Sequence, residues 1–222
     1  PLTLVVPKQP EIPDSVTSGL NTVGLRMPAH PVALRLIQAA EVPVAGPSAN
    51  RFGELSPTTA AHVYEALGDA VDFILDGGPC TVGIESTVLS LAGEQPLLLR
   101  PGMISQSALE AVVGPVQVFE QLVRPGAHPS PGLHARHYSP RTPLFIGEPR
   151  NSSGVYLWWR TELPAGYSLQ LPSDPAACAS HLYDLLHRID REDWDHIAIE
   201  SPPEGPEWAG IRDRLHRAAA NT

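Results

Sequence analysis

Four short runs between residues 84 and 119 decide the fold class: Ile84-Glu-Ser-Thr-Val-Leu-Ser-Leu91, Leu97-Leu-Leu-Arg100, Ser105-Gln-Ser-Ala-Leu-Glu-Ala-Val-Val-Gly114 and Val116-Gln-Val-Phe119. The first two are apolar, strand-length, and separated by a Gly- and Pro-containing turn. In the third, Ser105 or Ser107 is placed to cap a helix that runs through Val113 and stops at Gly114. The fourth returns to strand-like residues. Strand, strand, helix, strand in so short a span predicts an α/β domain of short elements.

The flanking sequence repeats this alternation. Leu2 to Val6 and Thr22 to Arg26 read as strands. Pro31 suits the first position of a helix through Ala40, with Val32, Leu34, Leu36 and Ile37 on its apolar face. Val42 to Ala45 and Val71 to Leu75 are expected as short strands. Between them, Ser56 followed by Pro57 predicts the start of a helix ending at Gly68. Residues 124–143 hold five prolines in twenty, which will not continue a helix or a sheet, and mark an extended linker. Beyond it, strands at Leu144–Ile146, Val155–Trp159, Ser168–Leu171 and His196–Glu200 alternate with a helix capped by Asp174 and a last helix from about Glu207 to Ala219. The expected organisation is a mixed α/β domain over 1–122, a linker or lid over 123–143, and a small Rossmann-like α/β domain over 144–222.

Composition excludes several classes. With 42% hydrophobic and 18% charged residues, the 222-residue chain can bury a core and is not disordered. No apolar run approaches the ~18 residues of a membrane span. Two cysteines, Cys80 and Cys178, make neither a disulfide scaffold nor a four-cysteine zinc site, and fit a reducing cytoplasm. The net charge of −9 is the wrong sign for a non-specific nucleic-acid binder. Residues 1–122 hold only Lys8, Arg26, Arg35, Arg51 and Arg100 against twelve acids, so Arg26, Arg51 and Arg100 stand out as candidate anion contacts. The chain opens at Pro1, directly in an apolar strand, which is expected of a sequence that lacks its upstream segment.

The usual nucleotide and hydrolase signatures are absent: no P-loop, no G-x-G-x-x-G, no H-E-x-x-H and no G-x-S-x-G. Instead, polar residues recur at strand ends and in Gly/Pro-rich loops. Ser48 and Asn50 follow Gly46-Pro47, Ser56 opens a helix, Glu85-Ser86-Thr87 interrupts an apolar strand, and Arg100 ends one. Each has a plain structural reading: a turn, a cap, or an ion pair. His128, His134 and His137 cluster in the linker without a cysteine or carboxylate beside them, and Cys80 follows a Gly-Gly-Pro turn, which suits a structural thiol better than a nucleophile. Asp72 and Asp76 are carboxylates at a strand end; magnesium ligation and simple exposure are both open to them.

In order and spacing, these segments resemble the YrdC-like proteins: Pro1-Leu-Thr-Leu-Val-Val6, Thr22-Val-Gly-Leu-Arg-Met-Pro-Ala-His-Pro31, Gly46-Pro-Ser-Ala-Asn50, Ser56-Pro-Thr58, Asp76-Gly-Gly-Pro-Cys80, Gly83-Ile-Glu-Ser-Thr-Val88 and Leu99-Arg-Pro-Gly102. Ser130-Pro-Gly-Leu-His-Ala-Arg-His-Tyr-Ser-Pro140 and Asp213-Arg-Leu-His-Arg-Ala-Ala219 extend the resemblance to the two-domain threonylcarbamoyl-AMP synthases. The resemblance implies a YrdC-like mixed, twisted sheet with flanking helices, followed by the Rossmann-like domain. It implies formation of L-threonylcarbamoyl-adenylate from L-threonine, bicarbonate and ATP with Mg2+, feeding modification of a tRNA adenosine, with tRNA or the tRNA-modifying transferase complex as downstream partner, in the cytoplasm.

Carried over by motif, Arg26, Gly46 and Ser86 are expected to bind threonine. Thr22, Ser48, Asn50, Ser56, Arg100 and Tyr138 are expected at ATP, with Tyr138 reaching over the nucleotide from the linker. No enzyme nucleophile and no protein-held metal are implied. Arg26, Ser48, Asn50, Ser86 and Arg100 are expected to share one cleft. The family's K-x-R element lies upstream of the Pro-Leu-Thr-Leu strand; Lys8, which follows that strand, does not replace it, so weak ATP binding is expected of these 222 residues alone. Two other readings remain: a non-catalytic RNA-binding YrdC-like module, which the acidic balance opposes, and a carbamoyl-adenylate-forming domain of the hydrogenase-maturation type, against which the linker and C-terminal domain speak.

Overall fold

The computed structural model describes residues 1–119 and 137–219. The chain divides into two units, Pro1–Pro47 with Glu85–Leu133, and Ser48–Ile84 with His134–Thr222.

The first unit is built on β1 (Leu2–Pro7), β2 (Thr22–Leu25), β3 (Thr87–Ser90), β4 (Leu97–Arg100) and β5 (Gln117–Val118), in the order β2-β1-β3-β4-β5. The sheet is mixed. β1 runs antiparallel to β2 and parallel to β3, while β4 runs antiparallel to β3 and parallel to β5. Side chains alternate across it as the two-residue period requires. Leu89 and Leu98 meet Leu109 and Val116 on one face; Val5, Val88 and Leu99 cluster on the other. Each such buried aliphatic side chain is worth roughly 1.5–3 kcal/mol relative to exposure. Leu109 comes from α4 (Gln106–Val113), capped by the Ser105 hydroxyl, which accepts from the Ala108 N–H at 3.3 Å, and closed by Gly114. A short α1 (Asp14–Thr17) and α2 (Pro31–Ala40), with Pro31 in its first turn, complete the unit.

The second unit carries β6 (Leu144–Ile146), β7 (Gly154–Trp158), β8 (Tyr167–Gln170) and β9 (His196–Ile199) in the order β6-β9-β7-β8, all parallel. Near-continuous burial of β7 and β9 is what a parallel sheet covered by helices demands. Those helices are α5 (Pro175–Ile189), whose cap Asp174 accepts from Ala177 N–H at 2.7 Å, and α6 (Ala209–Ala219). With α3 (Ala60–Leu67) they are the unit's α-helices among the described residues. Trp159 is buried edge-on against Trp208, and half-buried Trp158 donates from its indole to Ser168 at 2.9 Å. Among the described residues no helix is long and apolar enough to cross a membrane.

Several local expectations are corrected. Val42–Ala45 is not a strand; Val42 and Val44 are half-exposed or more, and Pro43 removes the donor a ladder would need. Val71–Leu75 is irregular, with Phe73 90% exposed and the run without a strand to pair with. The helix expected from Ser56 begins a turn later. Thr58 N–H is taken by His62 Nδ1 at 3.3 Å, and Thr59 becomes the cap by accepting from His62 N–H. The strand expected over Ile84–Leu91 is confined to Thr87–Ser90, because the Ser86 carbonyl turns out of the ladder toward Arg100. Most of the linker, with His128 and His134, lies outside the described residues.

Candidate functional site

The strand register places three candidates at one end of the first sheet. Arg26 follows Leu25, which stands opposite Leu4. Ser86 precedes Thr87, which stands opposite Leu2. Arg100 stands opposite Val88. All three therefore flank the N-terminal end of β1. Thr22 lies opposite Pro7, at the other end of β2, about 10 Å along the strand.

Around Ser86 the geometry is tight. Arg100 is buried, and its Nε and Nη2 donate to the Ser86 carbonyl at 3.2 and 3.1 Å, with Nη2 also 3.4 Å from Ser86 Oγ. Ser86 Oγ lies 2.7 Å from Thr3 Oγ1. Next door, fully buried Thr87 accepts through Oγ1 from Ile104 N–H at 3.1 Å and donates to the Ile104 carbonyl at 2.9 Å. This closes Arg100-Pro-Gly102 back on β3. A Cβ at Gly102 would lie 2.4 Å from Thr87 N, so only glycine fits this approach. The buried guanidinium puts a fixed positive charge at the sheet end, in a stretch of chain with few cations.

Arg26 is exposed, and its Nη2 donates to the Gly46 carbonyl at 2.7 Å. Two of the three threonine candidates are thus in contact, and the guanidinium keeps further donors for a carboxylate.

The remaining candidates belong to the second unit. Ser48 is exposed. Asn50 folds its own loop, donating from Nδ2 to the carbonyls of Arg51 at 2.9 Å and Glu54 at 3.1 Å. Its Oδ1 is buried and accepts no hydrogen bond. Ser56 is buried, and its carbonyl accepts from His187 Nε2 at 3.1 Å. Tyr138 has φ of +62° and is 1% exposed. It stacks on Tyr183 with centroids 6.1 Å apart, under the Arg214 guanidinium. Its neighbour Ser139 donates from N–H to the Gly53 carbonyl at 3.0 Å and bridges Glu54, so the segment bearing Tyr138 is stitched to the loop bearing Asn50.

Thr3 escaped the sequence reading, although its signal was present: a hydroxyl in Leu2-Thr3-Leu4, pairing with the strand that begins after Ser86. Desolvation pushes the Cys80 thiol up, against thiolate formation, and burial pushes Cys178 up to about 12. Asp76 closes a turn by accepting from Gly78 N–H. Among the described residues, no group of three or more His, Cys, Asp or Glu side chains could hold a metal ion.

Comparison with known proteins places the chain among relatives. A family model described as telomere recombination, Sua5_yciO_yrdC, matches residues 1–102, and the model of the threonylcarbamoyl-AMP synthase C-terminal domain matches residues 104–220. The threonylcarbamoyl-AMP synthase of Bacillus subtilis strain 168 is 40% identical over 98% of this chain and 69% of its own length. That of Pyrococcus abyssi is 42% identical over 99% of this chain and 70% of its own. The crystal structure of Pyrococcus abyssi Sua5 complexed with L-threonine superposes with a TM-score of 0.88 at 32% identity, over 98% of this chain and 70% of that one. With matches of that identity running through both halves, the chain belongs to the threonylcarbamoyl-AMP synthase family, in its two-domain YrdC-like form.

Proposed function

We propose that the protein condenses L-threonine, bicarbonate and ATP into L-threonylcarbamoyl-adenylate, in the cytoplasm, for modification of a tRNA adenosine. The observation that carries this is the Arg26–Gly46 contact together with the Arg100–Ser86–Thr3 chain at one end of the sheet, in a chain similar to Pyrococcus abyssi Sua5, whose crystal structure is a complex with L-threonine.

The chemistry needs positioning more than a nucleophile. The threonine amine and bicarbonate give a carbamate and water. A carbamate oxygen then attacks the α-phosphorus of ATP, the bond to the β-phosphate oxygen breaks, and pyrophosphate leaves. Arg26 is suited to fork the threonine carboxylate, with the Gly46 backbone beside it and the Ser86 hydroxyl as a further contact. By their place in the motifs, ATP contacts are assigned to Thr22, Ser48, Asn50, Ser56, Arg100 and Tyr138. The Asn50 amide oxygen is buried without a hydrogen-bond partner, an unused acceptor within this loop. Magnesium enters on the ATP phosphates, as part of the substrate, where it neutralises charge in the transition state. The adenylate is an activated carbamoyl donor, and its consumer is a transferase acting on tRNA.

The test is to incubate the full-length protein carrying these residues with ATP, Mg2+, bicarbonate and L-threonine, following pyrophosphate and the adenylate by mass spectrometry. Formation that depends on both L-threonine and bicarbonate, and that Arg26→Ala abolishes by weakening threonine binding, is the expected result. Pyrophosphate release indifferent to threonine would overturn the proposal.

A further inference from the structure

The loop carrying Ser48, Asn50 and Ser56 is fastened to α5 through two histidines. His62 on α3 is 3% exposed, and its ring lies parallel to that of His187 on α5, with centroids 3.9 Å apart and planes 24° apart. The hydrogen bonds fix where the protons are. His187 Nε2 is 3.1 Å from the Ser56 carbonyl, which only accepts, so Nε2 carries a hydrogen. His62 Nδ1 receives the Thr58 N–H at 3.3 Å, so it is unprotonated. The neutral His62 proton therefore sits on Nε2, 3.7 Å from Asp184 Oδ1.

We infer that this stacked pair is a proton-sensitive latch: the His187–Ser56 and His62–Thr58 hydrogen bonds hold the Ser48–Ser56 loop on the C-terminal domain, and a proton on His62 releases it. The inference rests on the assignment of that loop to ATP. A second proton on His62 would have to go on Nδ1, which breaks the bond from the Thr58 N–H and leaves only the Thr58 hydroxyl, also 3.3 Å away, to accept from it. It would also place a cation face to face with the neighbouring imidazole. The charged groups around His62 are His187 and Asp184 of α5, Arg191 just beyond α5, and Glu65 of α3. Burial, His187 and Arg191 oppose the cation; Asp184 and Glu65 favour it; the balance holds the ring below its ordinary value. Arg191 is itself bound by Glu65 at 2.8 Å, which provides a second tie between α3 and the end of α5. The latch is thus closed at neutral pH and opens only as pH falls below the ordinary histidine range, and it makes His62 and His187 positioning residues for the nucleotide.

Two readouts separate the latch from the ATP assignment. The first is hydrogen exchange of residues 48–67, corrected for intrinsic rates, between pH 7.5 and 4.5. The second is Mg-ATP affinity by calorimetry over the same range, with L-threonine affinity alongside. His62→Asn keeps an acceptor near the Thr58 N–H but cannot titrate, and it shares any titration of ATP itself. His187→Gln keeps a donor for the Ser56 carbonyl without an ionisable ring. The wild-type loop is expected to lose protection on acidification, with ATP affinity falling roughly three- to tenfold, while threonine affinity holds. His62→Asn should flatten both responses. Loss of protection without loss of ATP affinity would keep the latch and overturn the ATP assignment of the loop. Equal acid responses in wild type and His62→Asn, or none in either, would overturn the latch.

Discussion

Thr3 and Ser86 are eighty-three residues apart in sequence, yet their hydroxyl oxygens lie 2.7 Å apart where β1 meets the approach to β3. Ser86 is also the residue on which the Arg100 guanidinium closes. The two hydroxyls and the guanidinium form one chain, so a change in Thr3 acts on Ser86. Thr3→Val keeps the shape and β-branching of the side chain but removes the hydrogen bond. L-threonine affinity is expected to fall about three- to tenfold, with Ser86→Ala losing at least as much and the double variant losing less than the product. Isothermal titration of the four proteins checks this; strictly additive losses would mean the pair is not coupled at the ligand.

Gly102 is held 2.4 Å from Thr87 N at the position where a Cβ would stand, and the obstacle is backbone. Gly102→Ala must therefore push the Arg100-Pro-Gly102 turn away from β3. We expect a loss of at least about 2 kcal/mol in a denaturant titration. The displaced turn carries Arg100, so nucleotide affinity falls as well. Unchanged stability would show that the turn yields without cost.

Much of this was legible in the chain itself. The strands β1, β4 and β7, the caps Ser105 and Asp174, and the Pro31 helix start are local features, set by periodicity and by side chains that satisfy nearby N–H groups. The segments at Val42–Ala45 and Val71–Leu75 look like strands for the same local reason. A strand, however, needs a neighbour to take its hydrogen bonds, and pairing is not written in the run itself. Ser56 shows the same limit. Its Ser-Pro signal is a good helix start, and it loses to a side chain four residues beyond Thr58, His62, which takes the N–H. That Ser48–Ile84 belongs with the C-terminal unit was invisible for a further reason. The ties are His187 to Ser56, Arg191 to Glu65 and Ser139 to Gly53, all between residues more than eighty positions apart. At the site, the motif order pointed to Arg26, Gly46, Ser86 and Arg100, whereas Thr3 required the strand register.

Arg100 makes its contacts with Ser86 through Nε and Nη2, a fork that lysine cannot reproduce. Arg100→Lys preserves the charge but leaves the Ser86 carbonyl without its paired donors. Mg-ATP affinity is expected to drop about tenfold, and L-threonine affinity to drop with it because Ser86 is no longer held. A variant that lost ATP affinity with threonine binding intact would place Arg100 at the nucleotide alone.

Glu200 gives the second unit a pH dependence of its own. It follows β9, and its Oε2 accepts from the backbone N–H groups of Trp159 at 2.6 Å and Arg160 at 2.8 Å, while Oε1 takes the Arg160 side chain at 3.2 Å. Burial alone would raise this carboxyl, but the two N–H donors and the guanidinium outweigh it, and the group is held below its ordinary value of 4.5. The sign follows from linkage. Below 4.5 the unfolded chain takes up a proton that the folded chain refuses, so stability is present above that pH and is lost as pH falls through the lowered folded value. Glu200→Gln keeps an acceptor for the two N–H groups but cannot carry the charge that strengthens them. Its melting temperature should lie a few degrees below wild type at pH 7, with the gap closing as pH falls through the lowered folded value, where wild-type Glu200 becomes neutral too. Thermal melts of both proteins from pH 7 down to 3.5 give the comparison. A constant gap would mean that the variant loses packing rather than charge.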